Sequence, residues 1–182
     1  MAERQKAIMR SELKVKITRD VPVTTYPFTD YFKGFERIEA VRKIFGDKTA
    51  NMLHKIRVEF AGMRSYMGVS NVDGHIVMSA RYLKEGDIVD IYLDIIHELV
   101  HVRQFMEGRE LFDENFSYTE RPTEIEAYRH AVEEARNLGL SEERICEYLK
   151  TEWMTDDEFE RLAKAIDVNC AQDTKAKRTL HE

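Results

Sequence analysis

Two histidines and a glutamate stand close together in the stretch DIIHELVHVRQ, which covers residues 94–104. His97 and His101 are four residues apart, so on a helix their imidazoles lie one above the other on the same face. Glu98 is rotated from His97 by about 100°, which places its carboxylate beside the pair. Two neutral imidazoles can bind one metal ion, and an adjacent carboxylate can take a proton from water. The spacing therefore predicts a zinc site with Glu98 as general base.

The flanking sequence predicts the helix that this site needs. Asp87 is a typical N-cap residue and Gly108 is a typical stop, so we expect a helix over residues 88–107. The histidine pair flanks its core stripe and is expected to face a cleft. The competing interpretation is two partly buried histidines that bond to neighbours, with Glu98 as a solvated surface acid. The apolar stripe consists of Ile88, Ile91, Ile95, Leu99, Val102 and Met106.

A zinc ion held in this way needs a third protein ligand, and two glutamates compete for that role. Both lie at the start of a second predicted helix, which begins at residues 121–123 and continues to Gly139. Glu124 shares a face with small apolar residues that suit helix packing, whereas Glu126 fits a capping box with Thr123. Glu124 is therefore the favoured ligand. Glu126 stays open as an alternative because the phase of a helix is poorly fixed near its cap.

The two segments together resemble the gluzincin metallopeptidases. In this thermolysin-like group an HExxH motif on one helix is joined by a glutamate from a second, downstream helix, often within Glu-x-x-Ala. HELVH at residues 97–101 and EIEA at residues 124–127 match the two motifs. The resemblance covers roughly residues 64–138 and points to the small, single-domain, minigluzincin-like form.

This resemblance implies a fold and an activity. The fold would be α+β and zincin-like, with a small, mostly antiparallel sheet packed on the active-site helix and a helical C-terminal part. The activity would be zinc-dependent hydrolysis of a peptide or protein substrate, with Glu98 as catalytic base and with His97, His101 and Glu124 as zinc ligands. In such proteins an edge strand lies along the cleft. Residues 74–82 look similar to that strand, so an extended peptide is expected to pair there.

The sequence departs from the family pattern at Tyr128, where an Asp or Asn often supports a zinc-bound histidine. Support then has to come from another residue, and Asp94, one turn before His97, is the candidate. The motifs do not single out the group that stabilises the transition state. Its candidates are Tyr118, Tyr128 and His130.

The remaining sequence predicts further elements around the site. Residues 13–17 alternate like a strand, and residues 35–45 have helical spacing. A hairpin is expected around Asp73-Gly74, because Asp-Gly is a strong turn signal. Two short helices should follow the second long helix, at residues 141–150 and 156–166.

Length and composition favour one domain. A chain of 182 residues with 43% hydrophobic content can bury a core. We interpret residues 1–182 as a single metallopeptidase-like domain. It has an α/β part at about 13–108, a helical part at about 121–168 and a polar tail at 170–182.

Charge and hydropathy bear on partners and compartment. The net charge is −6 and the basic residues are scattered, so nucleic acid is not an expected partner. No apolar run approaches the ~20 residues that cross a bilayer, and the first residues are charged where a signal peptide would be apolar. Cys146 and Cys170 are far apart in the sequence and fit reduced thiols. We therefore expect a cytoplasmic protein that does not act at a membrane.

A second class of function stays open. The apolar residues after Gly139 either complete the core or cover the cleft and dock a partner. In the latter case the chain would be a metal-binding, gluzincin-like regulatory or protein-interaction domain with latent or no peptidase activity. The residues in question are Ile145, Tyr148, Leu149, Trp153, Phe159 and Leu162.

Overall fold

The computed structural model describes residues 13–21, 23–62 and 66–170. The strands all lie in the first half of the chain: β1 Lys16–Ile17, β2 Thr25–Pro27, β3 Phe32–Lys33, β4 Arg57–Ala61, β5 Met67–Val69 and β6 Ile76–Ser79. The helices are α1 Phe28–Tyr31, α2 Glu39–Phe45, α3 Thr49–Lys55, α4 Ala80–Glu85, α5 Ile88–Met106, α6 Pro122–Asn137, α7 Glu142–Leu149 and α8 Asp156–Ala165. The fold is thus α+β, as predicted. None of the described helices is both long enough and apolar enough to cross a bilayer.

Four strands form a mixed sheet in the order β2-β4-β6-β5. β2 and β4 are antiparallel, β4 and β6 are parallel, and β6 and β5 are antiparallel. The prediction that residues 74–82 supply an edge strand was therefore wrong. They contain β6, whose backbone bonds to a strand on each side, and the edge strands of this sheet are β2 and β5. β1 and β3 pair separately as a short antiparallel ribbon.

The predicted hairpin is present, and its turn depends on one glycine. Gly74 has a φ of +74°, in the left-handed region that L side chains rarely adopt. Its N–H donates to the carbonyl of Ser70 at 3.0 Å, and the Ser70 N–H donates to the carbonyl of His75 at 2.8 Å. The hairpin therefore places β6 antiparallel beside β5, and β5 also contacts α5.

Replacing Gly74 with Ala is expected to destabilise the protein more than replacing Gly108 with Ala. Both glycines have a φ of +74°, so each substitution adds backbone strain of about 1–3 kcal/mol. A Cβ on Gly74 would also overlap the ring of Phe105, whereas a Cβ on Gly108 meets no atom within 4 Å. Urea unfolding of both variants measures the difference. Equal losses would show that the Phe105 ring moves aside freely.

An aromatic cluster fixes the position of α5 against the N-terminal part. Phe28 and Phe35 are fully buried, with ring centroids 5.5 Å apart, and Phe35 lies 5.7 Å from the ring of Tyr92 on α5. Ile95 and Leu99 continue the buried face of α5. Such dense packing holds the helix in one position, as a site built on its surface requires.

The helix predicted over residues 35–45 is interrupted. Phe35–Arg37 form a 3₁₀ turn, and α2 begins only at Glu39 because Ile38 is extended, with φ −75° and ψ 128°. The helical spacing of the apolar side chains survives this break, since Phe35, Ile38 and Val41 are all buried. Periodicity identified the buried face correctly but could not detect the change of backbone conformation.

Small side chains let α6 approach α5 closely. Ala127, Ala131 and Ala135 are fully buried on the face of α6 that the sequence analysis assigned to packing. The hydroxyl of Tyr92 on α5 donates to the carboxylate of Glu134 on α6 at 2.6 Å. This pairing of helices brings the first turn of α6 beside the middle of α5.

The two short helices predicted after α6 are present, and each begins at a residue whose side chain caps it. The Ser141 hydroxyl accepts from the N–H of Arg144 before α7, and Thr155 and Glu158 form a capping box at α8. Ile145, Leu149 and Leu162 are fully buried. These helices therefore complete the core.

The expectation of reduced thiols was wrong. Cys146 on α7 and Cys170 after α8 form a disulfide, with Cα atoms 5.7 Å apart. Their separation of 24 residues in the sequence concealed this proximity, which arises because α7 and α8 pack against each other. Disulfides are rare in reducing compartments. The cytoplasmic expectation thus loses one of its supports and stays a prediction.

Candidate metal centre

Three ligand atoms from α5 and α6 converge on one point. The Nε2 atoms of His97 and His101 are 3.0 Å apart. The Oε2 atom of Glu124 lies 3.3 Å from Nε2 of His97 and 3.4 Å from Nε2 of His101. All three side chains are buried. Within the described residues these are the side chains whose grouping can hold a metal ion.

The spacing of these atoms fits tetrahedral coordination. Ligands that bind a zinc ion at ~2.0–2.2 Å with tetrahedral angles are ~3.3–3.5 Å apart, close to the separations observed. The Oε2 atom of Glu124 is buried and accepts no hydrogen bond within the part of the chain that the structure describes. A buried carboxylate oxygen without a donor is costly, and a bound cation would compensate it. The residues present therefore fit a metal ion.

Glu98 is not a solvated surface acid. It is 6% exposed, and its Oε2 atom has no hydrogen-bond partner among the described residues. Burial raises the pKa of this carboxyl to about 8. The competing interpretation of the motif required a solvated Glu98, so the structure contradicts it at this residue.

A chain of hydrogen bonds orients His101. Its Nδ1 atom lies 2.7 Å from Oε1 of Gln104, whose amide donates to the carbonyl of Thr123 at 3.0 Å and to Glu126 at 2.9 Å. Because the Gln104 amide nitrogen is committed as a donor, its oxygen faces His101 and accepts from Nδ1–H. In its neutral form, His101 then presents an unprotonated Nε2 to Glu124. That is the tautomer that a metal ligand needs.

Glu126 belongs to this outer support and is not part of the three-ligand group. Its carboxylate bonds to Arg103 and Arg109 as well as to Gln104. The predicted capping box was wrong, because the N-cap residue of α6 is Arg121 and no side chain caps the helix there. Of the two glutamates, Glu124 lies in the group with the two imidazoles and Glu126 does not.

The environment of His97 differs from the one expected. Asp94 does not support it, because the two carboxylate oxygens of Asp94 accept from the hydroxyls of Tyr82 at 2.5 Å and Tyr148 at 3.0 Å. The ring of Tyr128 packs on His97 with centroids 4.4 Å apart. The Nδ1 atom of His97 is buried and has no protein partner among the described residues. An aromatic ring therefore stands beside this histidine, at the position where the family pattern often has a carboxylate or an amide.

The charges of the three ligands depend on one another. Burial lowers the pKa of His97. Burial also acts to lower the pKa of His101, but the carboxylates of Glu124 and Glu98 outweigh it and raise that pKa above its ordinary value. Burial opposes ionisation of Glu124, yet the two imidazoles hold its pKa well below its usual range. Without metal, the group thus holds a proton on His101 next to an ionised Glu124.

Two cavities open beside the ligands, and both are lined by His97, Glu98, Tyr118 and Met67. The larger has a volume of about 470 Å³ and extends along the N-terminal half of α5. The smaller, about 160 Å³, lies on the side of His101 and of Phe112. Because Met67 is in β5, this edge strand borders both cavities.

Comparison of the chain with models of protein families, with curated proteins and with solved structures gave no significant match. The assignment of a function therefore depends on the chemistry of these residues.

Of the three candidates for the group that stabilises the transition state, two lie beside this centre. Tyr118 and Tyr128 line the larger cavity, and their hydroxyl oxygens are 3.2 Å apart. His130 lines neither cavity. Gln104 was not among the predicted site residues, although it could have been found from its position three residues after His101 on one helical face. Trp153, one of the apolar residues expected either to complete the core or to cover the cleft, lines the larger cavity.

Proposed function

We propose that this protein is a zinc-dependent metallopeptidase that hydrolyses peptide bonds. The observation that carries the proposal is the convergence of His97, His101 and Glu124 on one point. Beside them lies Glu98, which lines both adjoining cavities and whose buried Oε2 atom has no partner among the described residues. Three protein ligands leave a fourth tetrahedral position for water, which is typical of catalytic zinc sites.

Glu98 has the position of a general base in this proposal. His97, His101 and Glu124 would hold a zinc ion, which would lower the pKa of a coordinated water towards ~7 and polarise a carbonyl group. Glu98 accepts a proton from the attacking water and later donates it to the leaving amine. A cation beside Glu98 favours its ionised form and opposes the effect of burial on its pKa. Metal binding and activation of the base are therefore coupled.

Tyr118 and Tyr128 are suited to stabilise the negative charge that develops on the carbonyl oxygen. Burial raises the pKa of both phenols, so both keep their protons over the whole physiological range. Their hydroxyls lie close together beside His97. A hydroxyl that stays protonated can donate a hydrogen bond to an oxyanion.

The substrate backbone is expected to pair with β5. Met67, Gly68 and Val69 form the edge of the sheet and line the smaller cavity, next to His97 and Glu98. An extended peptide can add to such an edge through main-chain hydrogen bonds. This replaces the pairing with residues 74–82 that the sequence analysis expected.

The test of the proposed metal site is metal content. Elemental analysis of protein purified without added metal should give about one zinc per chain in the wild type. Glu124→Ala should lose the metal because it removes a ligand. Glu126→Ala should keep it but weaken its affinity ~10–100-fold, since Glu126 orients His101 only through Gln104.

Glu133→Ala is the matched control on the same helix. Glu133 is exposed and pairs with Lys43 at 2.5 Å, away from the ligands. The Glu133→Ala variant should bind metal as the wild type does. Stoichiometric zinc in Glu124→Ala would contradict the three-ligand site.

Metal affinity is expected to keep rising with pH above ~6.5, the ordinary pKa of histidine. The raised pKa of His101 means that the metal-free protein still holds a proton on this residue at neutral pH, and zinc must displace it. Affinity should therefore increase about tenfold per pH unit through neutrality. A competing chelator or calorimetry in buffers of different ionisation enthalpy measures this. Affinity that is constant above ~6.5 would show that His101 is already neutral.

One observation favours a second function. Tyr148 and Trp153, from the segment after Gly139, line the larger cavity. A metal-binding domain whose cleft docks a regulatory partner would use the same residues. Such a domain would bind zinc and leave peptides intact.

A further inference from the structure

The larger cavity carries an excess of negative charge. Five carboxyl groups line it, and the opposing cation is Lys150. The ammonium group of Lys150 bonds to Asp156 at 2.9 Å, outside the cavity lining, and Arg144 pairs with Asp90. The other lining carboxylates are those of Asp94, Glu98, Glu147 and Glu152.

Asp94 is the best placed of these carboxylates to receive a cation. It lies one turn before His97 and is partly exposed to the cavity. Each of its oxygens accepts from a phenol, Tyr82 or Tyr148, and no lysine or arginine in the described ranges forms an ion pair with it. Two phenol donors stabilise the carboxylate but leave its charge uncompensated. A cation bound in the cavity would balance this charge.

The buried carboxyl of Glu98, in the same lining, also points to a ligand. Glu98 lines the cavity but is only 6% exposed, and its buried Oε2 atom has no partner within the described residues. Asp94 and Glu98 are four residues apart on α5, so the two carboxylates follow one another along the same wall. A cationic side chain that enters the cavity therefore meets Asp94 beside the group that would act on the neighbouring peptide bond.

Aromatic rings form the mouth of this cavity. Trp153 is 52% exposed and Tyr66 is 41% exposed, although both are large apolar side chains. The rings of Trp153 and Tyr118 meet edge to face, with centroids 4.7 Å apart. Exposed tryptophan and tyrosine faces attract ammonium and guanidinium groups through cation–π interactions, with tryptophan the strongest. The mouth and the wall thus favour the same kind of ligand.

We propose that the larger cavity binds the side chain of an arginine or lysine in the substrate, adjacent to the bond that is cleaved. This inference rests on the proposed peptidase function and names its substrate class. The volume of about 470 Å³ lies within the range of pockets that bind small organic groups. The smaller cavity has mainly apolar walls, including Val69, Leu111 and Phe112, so the charge preference belongs to one side of the metal centre.

The test uses a pair of ligands that differ in charge but hardly in shape. Nα-acetyl-arginine amide and Nα-acetyl-citrulline amide are titrated separately into the full-length protein. Binding is followed by the fluorescence of Trp153, the one tryptophan in the sequence, which lies in the cavity lining. The arginine compound should bind at least ~10-fold more tightly, because only its guanidinium carries a charge.

Three variants assign the preference to the cavity. The double variant Glu147→Gln, Glu152→Gln should reduce the preference several-fold and Asp94→Asn should remove most of it. Glu147 and Glu152 form no ion pair in the described structure, so the double variant is expected to fold even if Asp94→Asn does not. Asp157→Asn is the control, because Asp157 is exposed in the same acidic segment but is not in the lining.

The outcomes separate this inference from the proposed function. Equal binding of the arginine and citrulline compounds would overturn the inference, even if the protein cleaves peptides. Tighter binding of spermidine than of the arginine compound would assign the cavity to a free amine and overturn the peptide assignment. Arginine preference in a protein that contains no metal would leave the cavity assignment in place and refute the peptidase proposal alone.

Discussion

Replacing Glu98 with Gln is expected to reduce peptide hydrolysis ~10²–10⁴-fold while the protein keeps its zinc. The amide is nearly the same size as the carboxyl and cannot accept a proton. Glu98 is absent from the group of atoms that can bind the metal, so the ligands are unchanged. Metal content and turnover of a fluorogenic peptide mixture, measured on the same preparation, give both quantities.

Glu107→Gln provides the matched control for this experiment. Glu107 follows the last turn of α5, is exposed, and lies outside both cavities. The Glu107→Gln variant should hydrolyse peptides at the wild-type rate. Undiminished hydrolysis by Glu98→Gln would remove this residue from the mechanism. Zinc binding without hydrolysis by the wild type would favour the regulatory alternative.

The grouping of His97, His101 and Glu124 could be predicted largely from local sequence patterns. The helix predicted over residues 88–107 is observed as Ile88–Met106, with Asp87 as N-cap, since capping and periodicity act within a few residues. The preference for Glu124 over Glu126 followed from the small apolar face that Glu124 shares. That face does pack on α5, and Glu124 is in the group of atoms that can bind the metal.

Features that depend on distant contacts could not be predicted. β5 lies at one edge of the sheet and β6 does not, because β4 pairs in parallel with the free side of β6. No local pattern in the sequence indicates that this distant strand pairs there. Asp94 bonds to Tyr148, which is 54 residues away, instead of supporting His97. The disulfide between Cys146 and Cys170 depends equally on the packing of α7 with α8.

The site is assembled partly from local sequence and partly from contacts between distant residues. One helix, α5, supplies three of the four residues that the HExxH motif and its resemblance assign to chemistry. The fourth, Glu124, arrives through the packing of α6. The support of His101 then comes from both helices, since Gln104 on α5 bonds to Glu126 on α6. Any change that shifts α6 relative to α5 would therefore move Glu124 and also alter the support of His101.

Removing the chain after Gly139 is expected to prevent folding. The truncation deletes α7 and α8, whose side chains Ile145, Leu149 and Leu162 are fully buried, with Ile166 at 3% exposed. Burial of four such side chains contributes about 6–12 kcal/mol, at about 1.5–3 kcal/mol each. This is comparable with the total stability of a typical domain, about 5–15 kcal/mol. Circular dichroism and thermal unfolding measure the loss.

A chain that ends at Cys170 is the control for the truncation. It retains every described helix and the disulfide, and it should fold as the full chain does. The segment after Gly139 also lines the larger cavity through Tyr148 and Trp153, so it joins the core to the proposed specificity site. A truncated chain that stays folded and cleaves peptides faster than the wild type would show instead that this segment is a removable lid. In that case the native chain would be latent, because the segment after Gly139 would restrict access to Glu98.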